Sequence, residues 1–562
     1  MKYIDGTTRS NTVAQATNVA EYVIARLVDL GITECFGLPG DYAFGIDRAA
    51  IHNKNLNYIG CNNELNASYA ADGYARMKGA AMLTTTFGVG ELSALNGVMG
   101  AKAENVVIFH LVGGPSTALQ VRKKNVHHTL GDGDFTIFKG ISEKSACVSA
   151  VITADNVVLQ MDQIIHEAFK KRQPAYILMA YDESCLPLRS THIENENVGR
   201  YISNKIQLAK AVHLILDLIE KSQKIVVIPA VKLRRFNLES KGLQLVEKLG
   251  CPFVVMPQAK SVFDELHPQY LGYFFGEHSY PGVEHAVEEA DLIIDLGEVS
   301  WNDINTGLYT AKVDLRKKLI LAPEYISYGE LTLSHVFLSE VLHEIIPQIS
   351  QRKIYNSNLQ ITNNIEGHET DKITLTSFYS RFLNFFHNDD VLIVETGSSS
   401  LGLPSLHFPK NVHYNNQTLW GSIGWATGAT LGVCLANPQK RVLLLTGEGS
   451  HQLTATTLGT MGRYKTKPII FCSNNDGYTV ERGLDLDKNY TYNDIEQWNY
   501  TELPAALGCK DWLTFKVFTN AELDQVLIKA ASAQTAVYIE FFTDKMDFNN
   551  ILESFHKKYF KA

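Results

Sequence analysis

The sequence predicts an α/β protein of three doubly wound domains with mainly parallel sheets. Short apolar runs that are continuous, instead of alternating with polar residues, indicate strands buried on both faces, as in parallel sheets covered by helices. Several of these runs end in Gly or Pro and lead into segments of helical period, as βα units do. The runs are Val106–Val112, Ile225–Ile228, Phe253–Met256, Leu292–Leu296, Leu319–Ala322, Val391–Val394, Val442–Leu445, Ile469–Cys472 and Val537–Phe541.

Two polar stretches divide the chain. Its 562 residues are too many for one hydrophobic core. Leu186–Asn204 and Ser350–Lys372 follow neither the helical nor the strand period, so we interpret them as interdomain linkers. The sequence therefore predicts an N-terminal domain over residues 1–188, a middle domain over 205–350 and a C-terminal domain over 372–562.

The composition argues against several classes of protein. The net charge is −9, from 51 basic and 60 acidic residues, which disfavours a nucleic-acid surface. The polar N-terminus lacks the apolar core of a signal peptide, and no apolar run approaches the length of a membrane span. The eight cysteines occur singly, without a CxxC pair, as is typical of reduced core residues. We expect a cytoplasmic protein without nucleic-acid or membrane partners.

The strongest chemical signal lies where two of the predicted strands end. Val442–Leu445 leads into Thr446–Ser450, with the sequence TGEGS, and then into a predicted helix from about His451 to Lys465. The next strand, Ile469–Cys472, ends in Asn474–Gly477, with the sequence NNDG. Ligands of open α/β sheets bind beyond the carboxyl ends of the strands, so the two loops can present groups at one point.

The first loop suits a phosphate, and the two loops together suit a metal. Gly447 and Gly449 let the backbone approach a phosphate, and the following helix N-terminus favours an anion. Oxygen donors from Glu448 and Asn475, with a backbone carbonyl near Gly477, suit Mg²⁺, which takes its other ligands from phosphate and water. Ordinary βα turns would explain either loop alone, but the pairing of two loops 27 residues apart favours a bound diphosphate.

This two-part pattern resembles the thiamine diphosphate motif, which is written GDG, a spacer, then N. Glu448 stands where the motif has aspartate, and one extra methylene moves the carboxylate by about 1.5 Å. The resemblance implies thiamine diphosphate held through Mg²⁺. It implies the metal ligands Glu448, Asn475 and Gly477, with further cofactor contacts from Gly447, Gly449 and Ser450.

A second motif surrounds Glu64, in the segment 60–76 with the sequence GCNNELNASYAADGYAR. Glu64 follows the β-like run Leu56–Ile59 at the start of a small-residue helix, where a glutamate can simply favour the helix N-terminus. The whole segment, however, closely resembles the pyruvate decarboxylase family of 2-oxo acid decarboxylases. Three more stretches resemble that family in the same order. They are Phe36–Tyr42 with Asp41, Asn125–Phe135 with His127 and His128, and Asn475–Arg482 with Glu481.

The resemblance covers nearly the whole chain and implies a three-domain thiamine diphosphate-binding fold and the decarboxylation of a 2-oxo acid to an aldehyde. It implies that Glu64 activates the cofactor. It also implies that four residues bind the substrate carboxylate and handle protons: Asp41, His127, His128 and Glu481. Carboxylates and imidazoles so close together have coupled pKa values, so no acid or base is assigned individually.

The family resemblance also implies a cofactor-supporting loop and an oligomer. In Leu419–Gly424, Ile423 matches the bulky residue that props the bent cofactor, and the Gly421 carbonyl matches the acceptor for its amino group. A packed strand-to-helix corner is the simpler explanation for this stretch. Because Glu64 and the metal loops lie in different domains that meet across a subunit boundary in the family, we expect a homodimer or homotetramer with shared active sites.

The substrate is less well determined by the sequence. Ser400, Leu401, Val480 and Leu484 match pocket-wall positions, several of which are larger in pyruvate-preferring relatives. Smaller walls favour a branched or aromatic 2-oxo acid, but one methylene changes preference by only about 1–3 kcal/mol, so pyruvate stays a candidate. The amphipathic stretch Ile551–Phe560 can either close the site as a lid or pack on the surface.

Two alternatives remain at this stage. One is another thiamine reaction, the carboligation of two substrates to an acyloin or acetolactate. Protonation of the enamine by the paired histidines and Glu481 would compete with that reaction. The other is a cofactor-binding paralogue with a regulatory role and no activity, which the replacement of aspartate by Glu448 motivates.

Overall fold

The computed structural model describes residues 3–7, 13–189, 197–357 and 364–560, which form three mainly parallel sheets flanked by helices. The predicted α/β architecture is therefore confirmed. Both predicted linkers include residues outside these ranges, 190–196 and 358–363, so the domain boundaries stay predictions. None of the helices in the described ranges combines the length and the apolar character that crossing a bilayer requires.

The first sheet is fully parallel and has the order β2-β1-β3-β4-β6-β5. Its strands are β1 (Glu34–Gly37), β2 (Asn57–Gly60), β3 (Ala81–Thr86), β4 (Ile108–Gly114), β5 (Val148–Ile152) and β6 (Ala175–Ala180). The accompanying helices are α1 (Val19–Asp29), α2 (Phe44–His52), α3 (Glu64–Lys78), α4 (Val89–Ala103), α5 (Thr117–Val121), α6 (Ile137–Ser142), α7 (Val157–Lys171) and α8 (Tyr181–Ser184).

The middle sheet is mixed, with the order β13-β12-β11-β10-β7-β8-β9. Its strands are β7 (Ile225–Pro229), β8 (Phe253–Val255), β9 (Tyr270–Tyr273), β10 (Leu292–Leu296), β11 (Lys318–Leu321), β12 (Tyr325–Tyr328) and β13 (Leu331–Ser334), of which β12 runs antiparallel to both neighbours. Its helices are α9 (Lys205–Lys221), α10 (Lys232–Arg235), α11 (Glu239–Leu249), α12 (Val283–Glu288) and α13 (Leu338–Ile345).

The third sheet is again fully parallel, in the order β15-β14-β16-β17-β19-β18. Its strands are β14 (Val391–Val394), β15 (His413–Asn415), β16 (Val442–Gly447), β17 (Ile469–Asn474), β18 (Leu513–Val517) and β19 (Val537–Phe542). Its helices are α14 (Leu375–Phe385), α15 (Ser398–Gly402), α16 (Trp425–Ala436), α17 (Glu448–Thr454), α18 (Thr457–Arg463), α19 (Thr479–Leu484), α20 (Leu503–Ala506), α21 (Asn520–Ser532) and α22 (Asn550–Phe560).

The helix expected from about His451 to Lys465 is two helices, α17 and α18, and the first of them begins at Glu448. The two break apart at Ala455 and Thr456. Glu448 is thus the first residue of a helix, directly after β16, where an acidic side chain is favoured by the helix dipole.

The first and third units meet through α3 and α16, whose backbones lie in direct contact. A Cβ on Gly73 would lie 2.1 Å from the Ala429 carbonyl oxygen, and one on Gly432 would lie 1.8 Å from the Ala70 carbonyl oxygen. Larger side chains cannot fit at these positions, so glycine permits the close approach. The contact fixes α3, which begins with Glu64, against the unit that carries Glu448.

Candidate active site

Glu448 is buried at the carboxyl end of β16 and receives hydrogen bonds from the next loop. Its side chain is 1% exposed, and its Oε1 accepts from the backbone N–H of Gly477 at 2.8 Å and of Asn475 at 3.1 Å. Burial raises the pKa of Glu448 to about 7, although these hydrogen bonds oppose the shift. A buried carboxylate without a cationic side chain beside it is suited to a bound cation.

The side-chain amide of Asn475 lies at the same point. One atom of its terminal amide lies 2.7 Å from the Gly477 carbonyl oxygen and 3.2 Å from Glu448 Oε1. With nitrogen on this side, the amide donates to both oxygens; with oxygen on this side, three oxygens converge. Convergent carboxylate, amide and carbonyl oxygens are the donor set that Mg²⁺ takes. The residues present therefore fit the predicted metal.

Glycine backbone lines the cleft beside this point. A Cβ on Gly447 or Gly397 would meet no atom within 4 Å, so both face open space. Gly449 is required for another reason, since a Cβ there would lie 2.6 Å from the Tyr478 ring. The cleft is lined by the predicted Gly447, Gly449, Ser450, Asn475 and Gly477. It presents backbone N–H groups and the start of α17, as a diphosphate site requires.

The loop that was predicted to support the cofactor is held from beneath by Glu395. This residue is 2% exposed, and its Oε2 accepts from the backbone N–H of Gly424 and of Ala426, both at 3.2 Å. Burial raises the pKa of Glu395 to about 8. Gly421 adopts a φ of +64°, which favours glycine, and Ile423 is half-buried in the same loop. These hydrogen bonds fix the conformation of the loop that leads into α16.

The N-terminal unit holds the other side of the same loop. Glu104, which is fully buried, accepts from the backbone N–H of Leu419 at 2.8 Å and of Trp420 at 3.2 Å. Its backbone carbonyl accepts from Arg235 of the middle unit at 3.1 Å. Asn96 adds a hydrogen bond from the Trp420 indole at 2.9 Å. One glutamate therefore contacts all three units and positions the loop that contains Gly421.

A second group of ionisable side chains lies at the carboxyl end of the first sheet. Asp41 follows β1, and its Oδ2 lies 2.8 Å from His127 Nε2, while its Oδ1 lies 4.0 Å from His128 Nε2. The two imidazole rings meet edge to face with centroids 4.6 Å apart. Tyr42 stacks on His127 with ring centroids 4.8 Å apart. The structure thus brings three of the predicted catalytic residues into one cluster.

Glu64 lies at the start of α3, capped by the Asn63 side chain, which accepts from the Asn66 backbone N–H. Its carboxylate is half-buried and lies beside Gly90, where a Cβ would be 3.2 Å from Glu64 Oε1. Glycine at position 90 therefore lets the backbone of α4 approach this carboxylate closely.

Glu481 and the predicted pocket walls lie in the C-terminal unit. Glu481 is exposed on α19, and Val480 beside it lines the cleft of Glu448. Ser400 hydrogen-bonds with the backbone of Gly397, Leu401 is buried, and Leu484 is 38% exposed. The helix α22 covers α19, because its Leu552 would contact a Cβ on Gly483 at 2.4 Å. Helix α22 therefore packs on the element that carries Glu481.

The predicted residues form two separate groups within one chain. Among the described residues, no hydrogen bond or ion pair joins Asp41, His127 or His128 to Glu448 or Glu481.

Two buried glutamates of the site, Glu395 and Glu104, were not predicted from the sequence. A carboxylate directly after the predicted strand Val391–Val394 was a signal for Glu395, whereas Glu104 had none, because its partners lie 315 residues away.

Both groups of residues lie in regions of the chain that match known protein families. Three family models match the chain: the N-terminal binding domain of thiamine pyrophosphate enzymes over residues 17–135, their central domain over 212–323 and their C-terminal binding domain over 395–541. Pyruvate decarboxylase isozyme 3 of Saccharomyces cerevisiae is 35% identical over 521 residues, covering 90% of this chain and 91% of the relative. An alpha-keto-acid decarboxylase of Mycobacterium avium is 33% identical over 544 residues, 96% of either chain.

Proposed function

The chain belongs to the thiamine pyrophosphate enzymes, in the branch of the pyruvate and alpha-keto-acid decarboxylases, and we propose that it converts a 2-oxo acid to an aldehyde and CO₂ with thiamine diphosphate and Mg²⁺. This membership confirms the resemblance inferred from the sequence motifs. The observation that carries the proposed reaction is the Asp41–His127–His128 cluster, which can bind a carboxylate and move protons.

The C-terminal cleft would hold the diphosphate end of the cofactor. Glu448, Asn475 and the Gly477 carbonyl would ligate Mg²⁺, and the proposal is supported by the 2.7 Å and 3.2 Å approaches of the Asn475 amide to the other two groups. Gly447, Gly449 and Ser450 would contact the diphosphate, and Gly421 and Ile423 would contact its organic part. Bound thiamine diphosphate supplies an electron sink for the electron pair left by departing CO₂.

The ionisable groups of the N-terminal unit would handle the protons. Glu64, whose carboxylate is half-buried at the start of α3, would hold the proton that activates the cofactor. Asp41, His127 and His128, with Glu481, would bind the substrate carboxylate and protonate the product carbon. Asp41 and His127 share a hydrogen bond at 2.8 Å, so a proton can pass directly between them.

An assay of products tests this proposal. Purified protein with thiamine diphosphate and Mg²⁺ should release aldehyde from a 2-oxo acid and stop when either cofactor is withheld. Acyloin or acetolactate as the main product would favour the carboligase, and no turnover at saturating cofactors would favour the regulatory paralogue.

We also propose that the active site is shared between two chains of a homodimer or homotetramer. Among the described residues, no hydrogen bond or ion pair joins the two groups of one chain, as expected if each group is completed by a second chain. In a dimer formed from a Glu64→Gln chain and a Glu448→Gln chain, one of the two shared sites would be free of substitutions.

Co-expression of these two inactive variants tests the shared site. Random pairing should restore about a quarter of the wild-type turnover, since half of the dimers are mixed and each has one intact site. Separately purified variants, mixed only in the assay, serve as the control. No recovery on co-expression, with mixed dimers demonstrated by two affinity tags, would contradict a shared site.

The substrate is proposed to be a branched or aromatic 2-oxo acid. Val480 lines the cleft, and its small side chain supports this preference. Ser400 is hydrogen-bonded to Gly397, which also lines the cleft. Values of kcat/KM for pyruvate, 2-oxoisovalerate, phenylpyruvate and indolepyruvate measure it directly. A preference for pyruvate would contradict it without affecting the reaction class.

We also propose that the protein is cytoplasmic, which is supported by eight cysteines that are all free.

A further inference from the structure

We propose that Asp41, His127 and His128 form a binding site for a single Zn²⁺ or a similar transition-metal ion, distinct from the Mg²⁺ position at Glu448. The ligating atoms of the three side chains all lie within 4.8 Å of one another. Among the described residues, no other group of three or more His, Cys, Asp or Glu side chains has its ligating atoms so close together.

The distances within the cluster are close to those of a zinc centre. Tetrahedral Zn²⁺ with bonds of about 2.0–2.1 Å places neighbouring ligand atoms about 3.4 Å apart. The Asp41–His127 distance of 2.8 Å and the Asp41–His128 distance of 4.0 Å lie on either side of this value. Each distance differs from this value by about 0.6 Å, and the three side chains are 31% to 58% exposed, so they are free to adjust by that amount.

The chemistry of the ligands selects the metal. Two imidazoles and one carboxylate favour Zn²⁺ and other transition metals, whereas Mg²⁺ takes oxygen ligands. Three protein ligands leave a fourth position for water or for the carboxylate of a bound acid. Glu448 and Asn475 offer oxygen donors alone, so the two sites differ in the ion that they prefer.

The histidines are oriented before any metal arrives. The Tyr42 ring is nearly parallel to that of His127, at an interplanar angle of 11°, and its hydroxyl lies 3.4 Å from His127 Nδ1. The same hydroxyl donates to the His127 carbonyl oxygen at 3.2 Å. This leaves Nε2 of His127 directed toward Asp41. A partner on the far nitrogen of an imidazole is typical of metal-binding histidines.

Binding of the metal does not depend on the proposed reaction, but its consequence for turnover does. A metal bound by these three side chains removes the carboxylate and both imidazoles from proton transfer. Zinc should therefore inhibit decarboxylation reversibly while Mg²⁺ and thiamine diphosphate stay bound. Acidification should release the zinc, because both imidazoles must be unprotonated to ligate it.

Zinc titration of the full-length, metal-free protein tests the site, with a chromophoric zinc chelator as competitor. We expect one Zn²⁺ per chain that excess Mg²⁺ does not displace, and visible absorption bands of tetrahedral geometry when Co²⁺ replaces it. His127→Gln or His128→Gln should weaken binding by at least about 100-fold, and Tyr42→Phe by about tenfold, the lower end for a supporting hydrogen bond. The controls Glu448→Gln and His285→Gln, the latter on the exposed face of the middle unit, should bind zinc as wild type does.

Three results would overturn the proposal: no zinc binding, binding that the His127 variant retains, or binding that disappears in the Glu448 variant instead. Circular dichroism of each variant shows whether it is folded. Zinc binding is measured without turnover, so its outcome is independent of whether the protein decarboxylates 2-oxo acids. Restoration of aldehyde release by a chelator then tests inhibition separately.

Discussion

The first and third sheets have the same strand order but present different chemistry at their carboxyl ends. Numbered within each sheet, the strands of both follow the order 2-1-3-4-6-5. The first sheet is followed by ionisable side chains, including Asp41 and Glu64. The third sheet is followed by glycine backbone, including Gly397, Gly421 and Gly447. One unit offers proton-transfer groups, and the other offers a cradle for an anion.

The shared topology determines where a site lies, and the loops determine what chemistry it can perform. Helices α3 and α16 are equivalent elements of the two units, and they pack on each other. Each follows the second strand of its sheet. Helix α3 starts with the carboxylate of Glu64, whereas α16 starts after the loop that Glu395 fixes.

The largest expected effect comes from removing the proton-transfer role of the first unit. Glu64→Gln should lower kcat by about 10²- to 10⁴-fold, the usual contribution of a positioned acid or base. The affinity for thiamine diphosphate should change little, because the diphosphate end is proposed to bind in the third unit. Steady-state kinetics with cofactor titration by fluorescence measures both. A variant that keeps its kcat but binds cofactor weakly would mean that both units hold the cofactor.

The contact between the equivalent helices is the next most sensitive feature. Gly432→Ala should lower the free energy of unfolding by about 3 kcal/mol, because its Cβ would lie 1.8 Å from the Ala70 carbonyl oxygen and the helices must separate. Urea denaturation measures the change. Gly140→Ala is the control, since a Cβ there meets no atom within 4 Å in α6 and should not destabilise the protein.

How much of this could be predicted from the sequence depended on where each residue's partners lie. The central strands were predictable because β16 and β17 are continuous apolar runs, whereas the edge strand β18 is largely exposed and has no such run. Glu64 and Glu448 belong to motifs whose residues are close in sequence. Glu104 does not, because its hydrogen bonds join residues of different units, and a contact of that kind leaves no local pattern.

A smaller effect should follow from shortening the acidic residue in the third unit. Glu448→Asp should weaken Mg²⁺ binding by about tenfold, because the loop of Gly477 and Asn475 is hydrogen-bonded to the longer side chain and Mg²⁺ tolerates little distortion. Activation of turnover by Mg²⁺ measures it. Unchanged or tighter binding would show that the loop adapts to aspartate. Glu448→Gln is the reference for loss of the charge.

The most gradual effect, spread over several pH units, is a pH dependence at Glu395. Burial raises the pKa of Glu395 to about 8, whereas an unfolded glutamate titrates near about 4.3. The folded chain holds this proton more tightly, so the free energy of unfolding should fall by up to about 1.4 kcal/mol per pH unit between these values and level off above pH 8. Glu395→Gln should remove this part of the slope in urea denaturation without cofactors. An identical slope in the variant would contradict it.

The contacts of Glu104 with the other two units affect the order in which the chain can fold during synthesis. Its partners Leu419 and Trp420 lie 315 and 316 residues further along, so they leave the ribosome on the order of 15–60 s after it at ordinary elongation rates. During that interval the first unit can form its own sheet and Arg76 can lie beside Glu104, but Glu104 Oε1 is without its two backbone partners. The full set of contacts of Glu104 therefore forms only when the last third of the protein is being synthesised.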